Sequence, residues 1–419
     1  MADIQGIIDK YAEVCRELGA TRSHLVMRVL KKEVKIQRKY PTTSVRLYLA
    51  GNNKLVVDSE AILRLDDLDM VLLYKTLCED PCVVSLDLRY NHITDDGCKY
   101  LGLLLAETTT LKELNLMGNF LTDDGARYIT KGLYNNSSLL SLQASCNEMG
   151  NIGGMYFAEC IQLNGTLREL DIGDTDLGTE SAIAIATVLN FNKSLKALNV
   201  NRPILTSCQE ETTVHYARML VMNSNLEELH MMKHDMTDFG CDRLMESLKD
   251  NFCLTYLNIG CNRITRDGAK SIAKLLKQNT PLKILDIGFN RIGNDGALLI
   301  ADALSGLNTN LTTLVLVSNE IRGKGLCSLA ECLSTNTTLS NIYIWGNDHE
   351  ESACLAFAKL IDRGRILLEN TDVKPYVVDG INYLAEQSHG LRKWYYWGPT
   401  YGSQAQPDLA KFVRGQPSG

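Results

Sequence analysis

The chain reads as an α/β solenoid, a horseshoe with a parallel sheet on its concave face and α-helices on its convex face. Three observations predict it. The stretch Leu111-Lys112-Glu113-Leu114-Asn115-Leu116-Met117-Gly118-Asn119 fits the strand pattern L-x-x-L-x-L-x-x-N. Its closing position returns at Asn91, Asn119, Asn147, Thr175, Pro203, His234, Asn262, Asn290, Asn319 and Asn347, at spacings of 28, 28, 28, 28, 31, 28, 28, 29 and 28 residues. A period of that length leaves room for a full helix between successive strands, and long helices beside narrow strands force a stack to curve. A degenerate earlier copy, with Leu47 and Leu49, ends at Asn52.

In chain order, residues 1–43 precede the repeats. Ile4, Ile7, Ile8, Tyr11, Val14, Cys15 and Leu18 fall at helical spacing and predict a first amphipathic helix. A second segment carries Arg28, Lys31, Lys32, Lys35, Arg38 and Lys39 against the single acid Glu33, and Pro41 ends it. Two readings stand for it: a cap over the open end of the solenoid core, which every solenoid needs, or a local patch for nucleic acid or an acidic partner. The solenoid then runs over 44–370, opening with an irregular turn whose helix carries Leu65, Leu68, Met70, Val71, Leu73 and Leu77 and closes at Pro81.

Each regular turn starts with a short strand whose alternate residues, such as Leu114 and Leu116, point into the core. After the Asn come a hydrophobic residue and Thr-Asp-Asp-Gly or a variant, as at Thr94–Gly97, Thr122–Gly125 and Thr265–Gly268. A Thr followed by acids suits a helix N-terminus, where those groups satisfy or neutralise exposed N–H donors. Helical spacing follows, as in Ala269, Ile272, Ala273, Leu275 and Leu276. The recurring Asn has a mechanical reason. The chain turns sharply while buried, and a side-chain amide both donates to and accepts from backbone groups of its own and neighbouring turns. Thr175, Pro203 and His234 break this ladder in three successive turns. They are either drift or an irregularity that a partner uses.

After Asn347 one more helix is expected over about 349–363. In 371–397 two strand-like runs flank Asp379-Gly380, a two-residue hairpin signal, and Trp394-Tyr395-Tyr396-Trp397 supplies an aromatic cap. Residues 398–419, rich in Gly, Pro, Gln and Ser, read as a flexible tail.

Composition bounds the function. Net charge is −7, and the isoelectric point is about 5.6. That argues against whole-molecule attraction to nucleic acid or anionic lipid. The N-terminus lacks a basic-then-apolar leader, no run approaches a membrane span, and the 13 cysteines read as reduced thiols. The Asn-x-Ser/Thr triplets at Asn136, Asn164, Asn192, Asn310 and Asn336 are then polar loop residues. Neither phosphate-binding glycine motif is present. His230, His234 and Cys241 make the best metal-like group, but two of them sit on a strand and a turn that do not obviously converge, so no metal, cofactor or catalytic residue is expected.

The concave face is more informative. Its first half offers Asp87, Glu113, Asn115, Gln143, Glu169, Asp171, Asn199 and Glu228, an acidic and amide-rich strip. Its last turns offer Tyr256, Ile284, Phe289, Val315, Val317, Tyr343 and Trp345. Exposed apolar area of that size marks interfaces, and aromatic residues dominate binding hot spots. The candidate partner-binding residues are therefore Asp87, Glu113, Glu169, Asp171, Glu228, Tyr256, Phe289, Tyr343 and Trp345. The alternative is that the C-terminal segment itself covers the aromatic half.

The period, strand motif and outer helix resemble the ribonuclease-inhibitor-like leucine-rich-repeat family over about residues 44–363. That resemblance implies a leucine-rich-repeat solenoid and a non-catalytic protein-protein interaction scaffold, monomeric unless in an assembly. Its alternatives are a regulator of a GTPase or other enzyme, or a structural component of a large assembly such as a cilium or pre-ribosomal particle. Two stretches, Asn119–Gly125 and Ile344–Glu351, resemble one vertebrate member. That member implies an intracellular protein of cytoplasm and nucleus, including the nucleolus, active in stem or germ cells. The partner stays an unidentified protein. Nucleic acid and membrane are not expected partners.

Overall fold

Leucines spaced one period apart stack into columns. Leu86, Leu114, Leu142, Leu170 and Leu198 are direct register partners on successive parallel strands, and so are Leu229, Leu257, Leu285, Leu314 and Ile342. Each is at most 1% exposed. Burying one such side chain stabilises the fold by about 2 kcal/mol, so the columns supply the main cohesive force. The computed structural model describes residues 2–51, 64–206, 210–306 and 308–387. The closing Asn52 of the expected first copy, the Trp394–Trp397 cap and the 398–419 tail lie outside the described residues, while that copy's Leu47 and Leu49 are buried.

The chain divides into two compact units after Ile204. The first opens with helices α1 (Ile4–Glu17) and α2 (His24–Lys39), followed by β1 (Val45–Tyr48) and α3 (Asp67–Leu77). Helix α1 packs on α3, and α2 on β1. Five strand–helix turns follow, the last lacking its helix: β2 (Val83–Asp87), α4 (Asp95–Glu107), β3 (Glu113–Asn115), α5 (Asp123–Leu133), β4 (Ser141–Gln143), α6 (Gly150–Leu163), β5 (Glu169–Asp171), α7 (Thr179–Leu189) and β6 (Ala197–Asn199). The strands pair in parallel in sequence order, and each helix packs on the next. Helices α4 and α5 approach most closely through glycine. A Cβ on Gly132 would stand 2.3 Å from the Gly102 carbonyl oxygen.

The second unit alternates in the same way: α8 (Glu211–Met222), β7 (Glu228–His230), α9 (Asp238–Leu248), β8 (Tyr256–Asn258), α10 (Arg266–Leu276), β9 (Ile284–Asp286), α11 (Gly293–Gly306), β10 (Thr313–Val315), α12 (Gly323–Thr335), β11 (Asn341–Tyr343) and α13 (Glu351–Asp362). Thr371 bridges to Ile342 of β11. Strands β12 (Val373–Val378) and β13 (Ile381–Glu386) then form an antiparallel hairpin packed on α13. Its turn residues Asp379 and Gly380 both have positive φ, as the tight hairpin turn demands.

The amide ladder takes a definite form. Asn147 donates to the carbonyls of Leu116 (3.0 Å) and Ala144 (2.8 Å) and accepts from the N–H groups of Asn119 and Leu121 (3.2 Å each). Asn91, Asn119, Asn262, Asn290 and Asn347 repeat the scheme, bonding their own turn and an adjacent one. At Thr175 a hydroxyl takes over one bond, to the Ile172 carbonyl at 2.7 Å.

Two expectations change. Thr94, Thr122 and Thr265 do not accept an N–H from their own helices. The acid opening the preceding helix does that work. Asp67 accepts from the Thr94 and Gly97 N–H groups (2.8 and 3.0 Å) and from the Thr94 hydroxyl (2.7 Å), and Asp238 serves Thr265 and Gly268 likewise. Stacking puts each carboxylate beside the next helix N-terminus, where a charged acceptor is strongest. Nor are the Asn-x-Ser/Thr residues simply loop polars. Asn136, Asn164 and Asn336 are buried. Each donates 2.7 Å to the carbonyl of Leu105, Leu133 or Leu304 near the end of the preceding turn's helix, and accepts from two N–H groups that follow it. They form a second ladder on the helix-to-strand side.

Candidate functional site

The candidate surface is the sheet face turned away from the helices, taken in each unit by itself. Strands three residues long put one side chain into the core and two on this inner face, so Leu114 is buried while Glu113 and Asn115 are half-buried. The last strand residue carries a further duty. Asp87, Asn115, Asp171, Asn199, Asn258 and Asp286 each accept the N–H two residues on, at 3.0–3.2 Å. This Asx geometry turns the chain out of the strand. It gives the acids at this position a backbone task that any partner role would have to share.

In the first unit the acidic strip is internally compensated. Asp87 is 6% exposed and faces the Arg89 guanidinium at 3.2 Å. Burial pushes its carboxyl above the ordinary value, and Arg89 opposes that shift. Asp171 is fully buried and accepts from the Ser145 hydroxyl and the Asn199 amide, both at 2.9 Å. Asp87 and Asp171 are thus set into the sheet and not displayed on it. Glu113 and Glu169 stay half-exposed. The Arg46 guanidinium lies 2.7 Å from Glu113, and the Ser141 hydroxyl donates to Glu169 at 3.1 Å. Arg46 is the residue missed from sequence. It sits on the degenerate first strand, where the repeat frame is weakest.

In the second unit Glu228 is half-buried, 2.6 Å from His230 Nε2, and the His230 ring packs edge-on against Tyr256 with centroids 4.8 Å apart. His234 instead packs on Tyr216, and the Cys241 thiol points to the Gly268 carbonyl. Among the described residues no group of His, Cys, Asp and Glu could hold a metal ion. Tyr256 and Tyr343 are buried, 5% and 3% exposed, and Tyr343 clusters with Val315 and Val317. They were expected as exposed groove residues. Burial pushes the Tyr343 hydroxyl up to about 12, with Asp372 adding to it.

Phe289 and Trp345 are placed differently from the strand residues they were grouped with. Both lie beyond their strands. Phe289 directly precedes the ladder Asn290 and has φ of 57°. The position before the ladder residue is left-handed in every turn, at Tyr90, Gly118, Cys146, Asp174, Arg202, Lys233, Cys261, Phe289, Ser318 and Gly346. This conformation swings the Phe289 ring outward, and it is 49% exposed. The ring borders an open cleft of about 760 Å³ lined also by Arg291, Ser318, Glu320, Arg322 and Asp348. Arg291 stands 3.8 Å from Glu320, and Arg322 stands 3.9 Å from Asp348. Trp345 is half-exposed against the His349 ring. Of the two cleft arginines only Arg291 had a sequence signal. Arg263 and Arg291 each follow a ladder Asn by one residue, in consecutive turns.

Among the described residues, no helix is long and apolar enough to cross a membrane. The leucine rich repeat profile matches residues 79–102, 108–129, 164–186, 250–273, 278–301 and 307–330. The stretch 187–249, which holds Pro203 and His234, is unmatched. Leucine-rich repeat-containing protein 34 of Rattus norvegicus is 57% identical over 394 residues, covering 94% of this chain and 94% of that protein. Its counterpart of the same name in Mus musculus is 51% identical over 398 residues, 95% of each. The Homo sapiens protein of that name is 56% identical over 204 residues, 49% of this chain and 44% of its own length.

Proposed function

The chain belongs to the leucine-rich repeat family, with near full-length relatives in leucine-rich repeat-containing protein 34 of rat and mouse, and on that premise we propose that it is a non-catalytic scaffold binding protein partners through the inner face of its sheet. The observation that carries this reading is the pair Phe289 and Trp345. These aromatic side chains stand accessible beside the strands of the second unit, one of them on an open cleft. Aromatic anchors of this kind supply most of the affinity in small interfaces. Arg291, Arg322, Glu320 and Asp348 form the polar rim around the Phe289 end, where paired charges fix orientation more than strength. In the first unit Glu113, Glu169 and their amide neighbours favour a basic or hydrogen-bonding segment. The same reading places the protein inside the cell, in cytoplasm and nucleus, which fractionation of expressing cells would test.

The test separates binding from folding. Phe289→Gly removes the anchor, and glycine already occupies the equivalent left-handed position at Gly118 and Gly346. Phe289→Gly combined with Trp345→Ala reduces capture of the main cellular partner at least tenfold, about 1.4 kcal/mol, while circular dichroism and the melting curve stay near wild type. Undiminished capture by the folded double variant would remove the aromatic-anchor reading.

A further inference from the structure

Helix α2 has two faces with different fates. Leu25, Val26, Val29 and Leu30 are buried, and the helix packs on α1 and β1. Arg28, Lys31, Lys32, Lys35, Arg38 and Lys39 are all exposed, and among the described residues none of them forms an ion pair. At 3.6 residues per turn they fall within an arc of about 120°, opposite the buried stripe, and run about 16 Å along the axis. The helix's one acid, Glu33, is half-buried on the other side. Packing asks only for the buried face and says nothing about the sign of the other. A solvated face ordinarily mixes signs. Helix α10 does so: Arg266 lies 3.1 Å from Asp267, and Lys277 at its end lies 2.7 Å from Asp302. On α2 the six cations are neighbours at spacings of three and four residues, where like charges destabilise a helix. No acid stands in the first turn, where the helix dipole favours one. A polyanion lying along the face turns that repulsion into attraction.

We propose that this face of α2 binds a single-stranded nucleic acid, its phosphates along the six cations and one base on Tyr40. The site is independent of the inner sheet face. The net charge of −7 opposes attraction by the whole molecule, not by one helix face. Three observations select the occupant. The first is charge density. The cations average one per roughly 3 Å of axis, close to the one phosphate per roughly 3.4 Å of a stacked strand, so about five phosphates lie within reach. An extended acidic peptide turns alternate side chains to opposite sides and offers only one carboxylate per roughly 7 Å. The second is the buried stripe. A helix that binds a membrane sinks its apolar face into the lipid, and here that face is already inside the protein. A strand also touches the helix alone, whereas an anionic bilayer would face the acidic remainder of the chain. The third is Tyr40, which ends the stripe. It is 61% exposed, with the Lys39 ammonium 5.3 Å from its ring centroid. An unpaired base stacks on such a ring, and a duplex offers none.

Fluorescence anisotropy of a labelled twelve-nucleotide single strand of mixed sequence, titrated with the full chain, tests it. Between 50 and 200 mM KCl the affinity falls about 100-fold, a log–log slope near −3.5 for about five phosphates. Lys32→Gln with Lys35→Gln reduces the slope by about 1.4 and weakens binding at least tenfold at 50 mM salt. The same pair leaves the melting temperature unchanged or raised, because it removes repulsion. Tyr40→Ala weakens binding about tenfold and leaves the slope alone. Lys270→Gln with Lys274→Gln, on α10, changes the net charge equally and leaves the affinity within twofold. No anisotropy change at 50 mM salt overturns the proposal, as does equal weakening by the α10 pair. A duplex of the same length that binds more tightly, with no dependence on Tyr40, overturns the choice of a single strand. A polyglutamate twelve-mer that displaces the strand at equal concentration gives the face to an acidic protein segment, and capture of phosphatidylserine vesicles in place of the strand gives it to a membrane. Either result overturns the assignment.

Discussion

Asn147→Ala isolates what the amide ladder contributes. The wild-type side chain bonds five backbone groups: the Leu116, Ala144 and Ser145 carbonyls and the Asn119 and Leu121 N–H groups. The Leu116 carbonyl keeps a second donor, the Asn119 amide at 3.0 Å, and the Ser145 carbonyl keeps the Gly118 N–H at 3.0 Å. Three groups then lose their partner inside a region where Asn147 itself is 3% exposed. At about 1 kcal/mol or slightly more for each orphaned group, the loss is about 3–4 kcal/mol. Water entering the vacated space would hold the value near the lower end. Urea unfolding followed by circular dichroism reads this as a midpoint drop of about 1 M, for a slope near 3 kcal/mol/M. Hydrogen exchange at the Asn119 and Leu121 amides localises it, which matters because solenoids do not always unfold in one step. Asn147→Asp keeps the acceptors, loses both donors and buries a charge, so it costs at least as much near neutral pH. A loss under about 1 kcal/mol, with both amides still protected, would refute the ladder as a source of stability.

Three further outcomes follow from other features. Burial pushes the Asp69 carboxyl in the α3 capping box up to about 6 from an ordinary 3.8. The folded state therefore holds this proton more tightly than the unfolded chain, and stability falls as pH rises from about 4 to 6. Asp69→Asn flattens that part of a denaturation-midpoint profile, and an unchanged slope would disprove the assignment. Gly132→Ala drives a Cβ against the Gly102 carbonyl and costs about 2 kcal/mol or more, whereas Gly165→Ala, with nothing within 4 Å, leaves the melting curve unchanged. Phe289→Gly relieves a left-handed backbone worth about 1 kcal/mol and gives up half-exposed contacts of similar size, so thermal stability moves by less than about 1 kcal/mol.

The candidate surface was only partly legible from sequence. Alternation assigned Glu113 and Glu169 to the inner face, and the structure puts them there, half-exposed. The same rule treated Asp87 and Asp171 as displayed acids. It cannot see that a carboxylate closing a strand accepts the N–H two residues on and is paired by Arg89, or by Ser145 and Asn199, from neighbouring positions. Phe289 was grouped with strand residues because it fits the count. The left-handed turn before Asn290 is what exposes it.

The sequence by itself determined the repeat. A 28-residue period with leucines at strand spacing and an amide at the turn leaves the backbone one economical arrangement, because both features are local and recur in every turn. It also determined the first amide ladder, whose chemistry follows from one residue type at one position. Tertiary structure alone decided which groups answer one another across turns. Asp67 serves the helix that begins at Asp95, Asn136 serves a carbonyl at Leu105, and Arg46 meets Glu113, at separations of 27 to 67 residues. It also decided that Tyr256, Val315 and Tyr343 are buried. Periodicity tells which face a side chain points from, but only packing tells what lies over it.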